Sequence, residues 1–424
     1  MTARTADRRE TSTSSRPDVR LDEASLRAEA CERTGLSDFG EDSFHAPLAV
    51  LLDSIEREAR LTPAGRAGQR TRLVGLLAAR LQRQAWFTRH REIGSERIDV
   101  RFVVVGFPRT GTTLLHRILA RGPGCSSLAW WECRHPAPLP GWRVEDAARQ
   151  PDARIAAAQA EVAAMISSNP ALAAVHPLDA LAPDEDVMLL EHAFQSSPPA
   201  GLMNVPSYLR WHLAQDGGAT YADHARWLQF LQWQKRMRGE PTGPFVLKAP
   251  HHMVHLDQLL ARYPRAIIVQ THRDPLDTLP SLASMALELR RLVCDTPHPS
   301  ECADYALTTA RCRLERAEGV RRAADGGRFV DVWFGDVVHD ALGVVERIYA
   351  AAGLDLHAGT RDEMTRFIAE NSRDKRPPHG YTLAQFGLDA ESIRQEFAAY
   401  REMHVLPRQG EAVSRPGMPG GHES

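Results

Sequence analysis

The 424-residue chain contains very little lysine. Only Lys235, Lys248 and Lys375 occur, so the other 49 of its 52 basic residues are arginine. The 54 acidic residues nearly balance this charge and leave a formal net charge of −2. A nearly neutral chain is not expected to coat nucleic acid or to hold a membrane surface through basic charge. Because lysine is so scarce, the positions of the three lysines are informative.

The sequence also lacks a membrane segment, a secretory signal and paired cysteines. No apolar run approaches the roughly 18 residues that a spanning helix needs, and the first 20 residues have no apolar core. We therefore expect a cytoplasmic protein without a transmembrane segment. The six cysteines are scattered, with no C-x-x-C pair, which predicts reduced thiols and no structural zinc.

The remaining composition is that of a globular protein, with 43% hydrophobic and 25% charged residues. Both ends are polar and carry no periodic apolar pattern. We expect a disordered tail over 1–20, a single domain over 21–407 and a flexible tail over 408–424. The length alone would also permit two domains of ordinary size.

Short β-branched runs alternate with helical patterns along the domain. The runs at 101–106, 245–249, 266–271 and 328–334 predict buried strands. Strands that alternate with helices predict an α/β fold with a mostly parallel central sheet. The predicted parts are a helical lead-in (21–100), a first strand–loop–helix segment (101–144), a helical insertion or lid (145–240) and the rest of the α/β core (241–407).

The first strand leads into the sharpest motif of the chain, VVVGFPRTGTTLL at 103–115. A buried strand followed by a glycine-bounded loop and a helix aims backbone N–H groups and the helix dipole at an anion. The spacing from Gly106 to Gly111 is that of a Walker A loop, but the lysine position holds Thr112. The cation is Arg109, inside the loop. This favours a phosphate-like ligand over Mg-ATP; the alternative is a simple turn.

The stretch GFPRTGTTLL resembles the 5′-phosphosulfate loop of sulfotransferases that use 3′-phosphoadenosine 5′-phosphosulfate (PAPS). The resemblance is to the broad bacterial branch and covers roughly 45–405, through LKAPHH, RAIIVQTHRDPLDTLPSL and DVWFGDVVHDALGVVERIYAAAGL to HGYTLAQFGL. It implies a P-loop-type three-layer sandwich and an enzyme that uses PAPS and requires no metal. The loop residues implied to bind PAPS are Pro108, Arg109, Thr110, Gly111, Thr112 and Thr113.

The resemblance also implies a second anion site, for the 3′-phosphate. Arg273 at a strand end and Ser281 eight residues later match the family's pair, and a guanidinium and a hydroxyl suit phosphate. The alternative is a surface ion pair of Arg273 with Asp274. A basic loop at 371–381 is expected to cover this phosphate, or else to be solvated. Its candidate contacts are Lys375, Arg376 and His379, with Arg373 a possible fourth.

The adenine is expected near strand 328–334. Family members commonly carry a tyrosine and a glutamate there, whereas this chain has Trp333 and Phe334. Contact with the base and ordinary core packing are equally good interpretations of these two aromatic residues.

Three catalytic roles follow from the resemblance. Arg109 is expected to neutralise the sulfuryl oxygens, and Lys248 matches a catalytic lysine of the tyrosylprotein sulfotransferases, although the context here is L-K-A-P instead of N-K-D-P. The alternative for Lys248 is a strand-end lysine that reaches solvent. Glu132, which follows the loop helix, is the preferred general base. The alternatives are His251 and His252, and more weakly His135.

The acidic run at 184–186 is predicted to cap a helix, with orientation of the acceptor as the alternative. The expected reaction moves a sulfuryl group from PAPS to a hydroxyl, or less favourably an amine, of a small molecule or lipid. Two other functions are open: a P-loop kinase with Asp274 as a weak magnesium ligand, and a nucleotide-binding protein without catalysis. The sequence determines neither the acceptor nor the oligomeric state.

Overall fold

The computed structural model describes residues 19–168, 178–324, 326–371 and 380–408. Within these ranges, four strands form one parallel sheet in the order β2–β1–β3–β4. Every connection between parallel strands must cross over, and helices supply each crossover. The predicted strands and the parallel α/β fold are therefore confirmed. The strands are β1 (Val100–Gly106), β2 (Phe245–Lys248), β3 (Ile267–His272) and β4 (Phe329–Trp333).

Helices surround this sheet. Those before β1 are α1 (Glu23–Thr34), α2 (His45–Glu58) and α3 (Pro63–Arg89). Between β1 and β2 lie α4 (Thr112–Leu119), α5 (Trp130–Arg134), α6 (Ala153–Ser168), α7 (Val187–Leu190), α8 (Pro198–Leu202), α9 (Pro206–Ala214) and α10 (Gly218–Met237). The rest are α11 (Leu256–Arg262), α12 (Pro275–Arg291), α13 (Pro299–Ala323), α14 (Phe334–His339), α15 (Ala341–Ala351), α16 (Ala358–Glu370), α17 (Ala390–Glu396) and α18 (Ala398–His404).

Strand β1 shows why the sheet is covered on both sides. Its side chains alternate between the two faces, and those of 102–105 are buried on both. Val103 and Val105 pack into the larger core with α2, α3, α10 and α12. Phe102 and Val104 pack into a second core with α4 and α15. A continuous apolar strand therefore has helices on both faces, which is the predicted three-layer arrangement.

Polar residues fix where several helices begin. The Thr62 side chain accepts the Gly65 N–H, and Pro63 occupies the first helical position of α3. Asp274 accepts the Leu276 N–H in the same way at the start of α12. Since β3 ends at His272, this cap makes the chain turn sharply from strand to helix at the carboxyl edge of the sheet.

The predicted insertion is helical in its described parts, 145–168 and 178–240, apart from an isolated bridge between Pro183 and Ala129. Next to this bridge, Asp184 N–H donates to the Leu128 carbonyl (3.0 Å). The insertion is thereby fastened beside the segment that follows the loop helix. Among the described helices, none combines the length and the hydropathy needed to cross a membrane.

Candidate active site

The loop after β1 is fixed by a close approach to β3. Gly106 has φ 150°, and a Cβ at this position would lie 2.0 Å from Thr271 Oγ1 and 2.8 Å from the Thr271 carbonyl. Thr110 Oγ1 donates to the Phe107 carbonyl (2.6 Å) and lies 2.6 Å from Thr271 Oγ1. The Thr110 hydroxyl is thus fully buried and holds the loop to the sheet. What Thr110 can offer a ligand is its backbone N–H.

The rest of the loop adopts a backbone that is typical of anion sites. Arg109 has φ 70° and Gly111 has φ 85°, both in the left-handed region. Helix α4 begins directly afterwards at Thr112, which is buried, followed by the half-buried Thr113. Left-handed residues followed by a helix N-terminus turn N–H groups into a concave cradle. A non-glycine residue in this region is strained, as is common at functional sites.

Arg273 connects this loop to the end of β3. Its Nη1 donates to the Arg109 carbonyl oxygen (3.0 Å), and its Nε donates to Asp277 Oδ2 (3.1 Å). Its guanidinium carbon also lies 4.4 Å from the centroid of the Phe334 ring. The arginine predicted for the 3′-phosphate and the loop predicted for the 5′ end therefore touch at one edge of the sheet. Ser281 lies buried further along α12.

The two aromatic candidates for adenine occupy different surroundings. The Phe334 ring lies beside the loop, since a Cβ at Gly111 would be 3.6 Å from Phe334 Cδ2. The Trp333 ring packs between His272, with ring centroids 5.7 Å apart, and the Arg408 guanidinium at 4.2 Å. Of the two, Phe334 is the one that borders the anion loop.

Lys248 is fully buried at the end of β2, in register with Val104 of β1. Its Nζ donates to Glu185 Oε1 (2.9 Å) and lies 4.0 Å from Asp184 Oδ1. Its backbone N–H donates to Asp186 Oδ1 (3.1 Å). The lysine therefore does not extend to solvent. The acidic run of the insertion holds both ends of the residue.

Asp186 is the centre of a buried network. Its Oδ2 lies 3.0 Å from both His224 Nε2 and His252 Nε2, and Tyr221 Oη lies 2.7 Å from His252 Nδ1. Burial alone would raise the pKa of Asp186, but the two histidines hold it well below its usual range. The capping prediction for this run is wrong. Asp186 occupies the N-cap position of α7, yet its side chain makes no capping hydrogen bond, because it binds Lys248 and the histidines instead.

Glu132 is also buried, and both of its carboxylate oxygens are occupied. Oε2 accepts the Ala129 N–H (3.0 Å) and Lys235 Nζ (2.8 Å), and Oε1 accepts Arg238 Nη2 (2.6 Å). The side chain is 1% exposed. The sequence analysis gave no role to Lys235, although the scarcity of lysine had marked all three lysines as positions of interest. Here it is a buried partner of the preferred base.

Comparison with known proteins identifies the family. Residues 101–358 match the family model described as Sulfotransferase family, which is more than half of the chain. The chain belongs to the sulfotransferase family. It is similar to the crystal structure of sulfotransferase STF1 from Mycobacterium tuberculosis H37Rv, with 32% identity and a TM-score of 0.78 over 91% of this chain and 100% of that one.

A second solved structure, sulfotransferase STF9 from Mycobacterium avium, gives a TM-score of 0.80 at 28% identity. The match covers 92% of this chain and 98% of that one. Comparison with the curated proteins gives no match. The predicted fold class and family are therefore confirmed over nearly the whole chain.

The histidines proposed as alternative bases in this sulfotransferase differ in their surroundings. Both ring nitrogens of His252 have partners, Asp186 and Tyr221. His135 Nε2 lies 2.9 Å from Glu161 Oε2. His251 faces away from these groups, towards other histidines. Because both of its nitrogens are already paired, His252 is less suited than a free imidazole to take a proton from an acceptor.

Burial and a nearby charge also act on His116 of α4. Burial, followed by the positive charge of Lys248, lowers the pKa of His116 to about 4. Its Nε2 lies 3.1 Å from the Val246 carbonyl of β2. At neutral pH His116 is therefore an uncharged donor that ties the loop helix to the strand carrying Lys248.

Asp274, the candidate magnesium ligand of the kinase hypothesis, is engaged elsewhere. It caps α12, and its carboxylate accepts Arg401 Nε (3.1 Å to Oδ1) and Nη2 (3.0 Å to Oδ2). The third group of predicted PAPS contacts lies outside the described residues; it comprises Arg373, Lys375, Arg376 and His379.

Proposed function

We propose that this sulfotransferase moves a sulfuryl group from PAPS to a hydroxyl, or less favourably an amine, of a small-molecule or lipid acceptor. The observation that carries the proposal is the contact of Arg273 with the Arg109 carbonyl. It brings together a cradle for the 5′-phosphosulfate and a cation for the 3′-phosphate. PAPS carries these two anionic groups on one ribose, which is why two adjoining anion sites suit it better than ATP.

In the proposed reaction, the acceptor oxygen attacks sulfur in line with the bond to the 5′-phosphate. That bond breaks, 3′,5′-adenosine bisphosphate leaves with the electron pair, and the acceptor proton passes to a base. Negative charge grows on the bridging oxygen, so cations aimed at it stabilise the transition state. Arg109 and Lys248 have this role in the proposal. Glu185 and Asp186 hold Lys248 in place at the sheet edge.

We assign the general base to Glu132, with a specific difficulty. Both carboxylate oxygens already accept hydrogen bonds, Oε2 from Lys235 and Oε1 from Arg238, so neither is open to the acceptor. A base in this position requires that one of these cations move or that the acceptor proton be transferred only late. Glu185, at 24% side-chain exposure and in contact with Lys248, is the second candidate.

The reaction is tested by transfer of labelled sulfate from PAPS to a panel of phenols, sterols, sugars and lipids. Arg109→Ala and Arg273→Ala are each expected to lower kcat/KM by about 10²–10³-fold, as loss of a charge-stabilising group does. Arg265→Ala is the matched control, because this arginine is exposed and pairs only with Asp99 among the described contacts. Equal activity in all three variants would overturn the proposal.

Calorimetry separates the proposal from the kinase hypothesis without knowledge of the acceptor. We expect 3′,5′-adenosine bisphosphate to bind, and Arg273→Ala to weaken it by at least about tenfold, which is 1.4 kcal/mol. Mg-ATP is expected to bind much more weakly, because Asp274 is held by Arg401 and no lysine stands in the loop. Tight binding of Mg-ATP alone would favour the kinase.

A further inference from the structure

Three buried histidines from separate elements meet on the far side of the segment that follows β2. His212 lies on α9, His251 in the 3₁₀ turn Pro250–Val254, and His255 at the start of α11. They are 0%, 1% and 1% exposed. One ring nitrogen of each lies within 4.8 Å of those of the other two. We name these three residues the histidine cluster.

The ring nitrogens of the histidine cluster lack ordinary partners. Among the described residues, none of the six makes a hydrogen bond of normal geometry. The His255 ring lies close enough to the backbone of Asp216 to interact with it. Leaving a buried polar group unpaired costs free energy, so this many in one place need an explanation.

A second group in the protein shows the contrast. His272, Asp331 and His404 also have ligand atoms within 4.8 Å of one another. There, however, His272 Nε2 lies 2.8 Å from Asp331 Oδ1, and His404 Nε2 lies 2.9 Å from Glu318 Oε1. That group is satisfied by its own ion pairs. Within the described part of the chain, no carboxylate hydrogen bonds to the histidine cluster in this way.

The histidine cluster is in the right form to bind a metal ion. All three imidazoles are buried, and one ring nitrogen of each points to the same place as those of the other two. A neutral imidazole has one nitrogen lone pair to donate to a metal ion. Neutral imidazole is a preferred ligand of zinc and of neighbouring transition metals, whereas Ca²⁺ and Mg²⁺ require oxygen ligands.

We propose that His212, His251 and His255 bind a divalent transition-metal ion, zinc foremost. Tetrahedral coordination with Zn–N bonds of 2.0–2.1 Å places ligand nitrogens about 3.3 Å apart. The present separations, all within 4.8 Å, require each ring to move inwards by about an ångström or less. A water molecule or another small donor would complete the tetrahedron.

Hydrogen bonds from Arg316 already hold the backbone around the histidine cluster when no metal is bound. Arg316 Nη2 donates to the Leu213 carbonyl (2.6 Å), and its Nη1 donates to the carbonyls of Gln215 and Val254 (both 3.3 Å). These acceptors are the neighbours of His212 and His255. A Cβ at Gly217 would lie 2.7 Å from His255 Nδ1, so this edge of the ring faces backbone.

The charges around the histidine cluster are mixed. Arg313 and Arg316 on α13 face it, while Asp216 and Asp257 lie near His255. Glu185 acts on Arg313 from the other side. The arginines oppose a cation, so the affinity rests on the three ligand bonds and on the carboxylates beyond them. Zinc sites with three neutral histidines and an open position are well established in proteins.

Metal in the histidine cluster would hold the segment that positions Lys248. His252 lies between His251 and His255 and binds Asp186, whose carboxylate accepts the Lys248 N–H. The metal would bind His251 on one side of His252 and His255 on the other, and would thereby fix this turn. The ion would thus act on structure, and its presence can be measured apart from any sulfuryl transfer.

The test uses full-length protein without a histidine tag, loaded with Zn²⁺ and freed of excess by gel filtration. Elemental analysis is expected to give one zinc per chain, and Co²⁺ loading is expected to give the visible absorption of a tetrahedral site. His212→Gln and His255→Gln should each weaken binding by at least about 100-fold, more than loss of an outer partner does. His404→Gln, in the satisfied group, should retain the full complement. Metal that is lost only with His404→Gln would overturn the assignment.

A measurement on the unmutated protein covers the case in which a variant fails to fold. Zinc that binds only the folded state must raise its thermal midpoint, and a chelator must lower it again. We expect the wild-type midpoint to rise on addition of Zn²⁺ and to return with EDTA. Absence of both the shift and the bound zinc would overturn the proposal.

Discussion

Replacement of Glu132 by glutamine separates two roles that the structure gives to this side chain. The substitution keeps the shape and the ability to accept the Ala129 N–H, and removes the negative charge. As a base, Glu132 must accept a proton during the reaction. As an anchor, it neutralises two buried cations, Lys235 at 2.8 Å and Arg238 at 2.6 Å.

The two roles predict losses of similar size, but the base role predicts a loss of kcat and the anchor role predicts a loss of folding stability. Loss of a general base lowers kcat by about 10²–10⁴-fold, which corresponds to about 3–5 kcal/mol in the transition state. Loss of one member of a buried ion pair lowers the free energy of unfolding by about 3–5 kcal/mol, because the cations stay buried without compensation. Activity must therefore be divided by the folded fraction, measured by urea denaturation of the same preparation.

Lys235→Met is the matched control. It breaks the same ion pair, while the Glu132 carboxylate keeps its contacts with Arg238 and Ala129. If Glu132 is the base, Glu132→Gln loses kcat and Lys235→Met keeps it within several-fold.

The assignment fails if Glu132→Gln retains kcat per folded molecule while its urea midpoint falls together with that of Lys235→Met. Glu132 would then be an anchor for the segment after the loop helix. In that outcome Glu185→Gln becomes the decisive variant, since Glu185 is the partly exposed carboxylate in contact with Lys248. A 10²-fold or greater loss of kcat in Glu185→Gln, at unchanged stability, would transfer the role.

Three further predictions concern the scaffold of the site. Gly106→Ala should lower the free energy of unfolding by about 3 kcal/mol or more in urea, since its Cβ would lie 2.0 Å from Thr271 Oγ1 at a strained φ; an unchanged midpoint would contradict the close approach. Asp186→Asn should cost about 2–4 kcal/mol and lower kcat more than it raises KM, because the amide has only one oxygen and cannot accept from both the Lys248 N–H and the two histidines; normal kinetics at normal stability would refute this. His116 should contribute up to about 3 kcal/mol to the loss of stability as pH drops from 6.5 to 4, because unfolded chains protonate His116 before the native protein does, and His116→Gln should remove this part of the slope in urea denaturation.

Features that depend on neighbouring residues could be predicted from the sequence. The run at 101–106 is apolar at every position except Arg101 and Gly106, so both faces of that strand had to be buried. The loop after it carries its glycines, its cation and its helix start within the seven residues 106–112. For these elements the chemistry is local, and the parallel three-layer fold follows from them.

Contacts between distant segments could not be predicted in the same way. Lys235 and Glu132 lie 103 positions apart, and Asp186 and His252 lie 66 apart. No local sequence pattern indicates that the residues of either pair are in contact. The acidic run at 184–186 satisfied the local rule for a helix cap, but burial against Lys248 gave its carboxylates stronger partners.

The insertion has a consequence for how acceptor specificity can change in this protein. It was expected to cover the acceptor, yet it also supplies Glu185 and Asp186 to Lys248, and Lys235 and Arg238 to Glu132. Since each of these contacts is buried or partly buried, a substitution at one of them disturbs a candidate catalytic group directly. Changes that alter the acceptor while preserving turnover must therefore fall at other positions of the insertion. Both functions share one set of helices, so the freedom to vary is smaller than the length of the insertion implies.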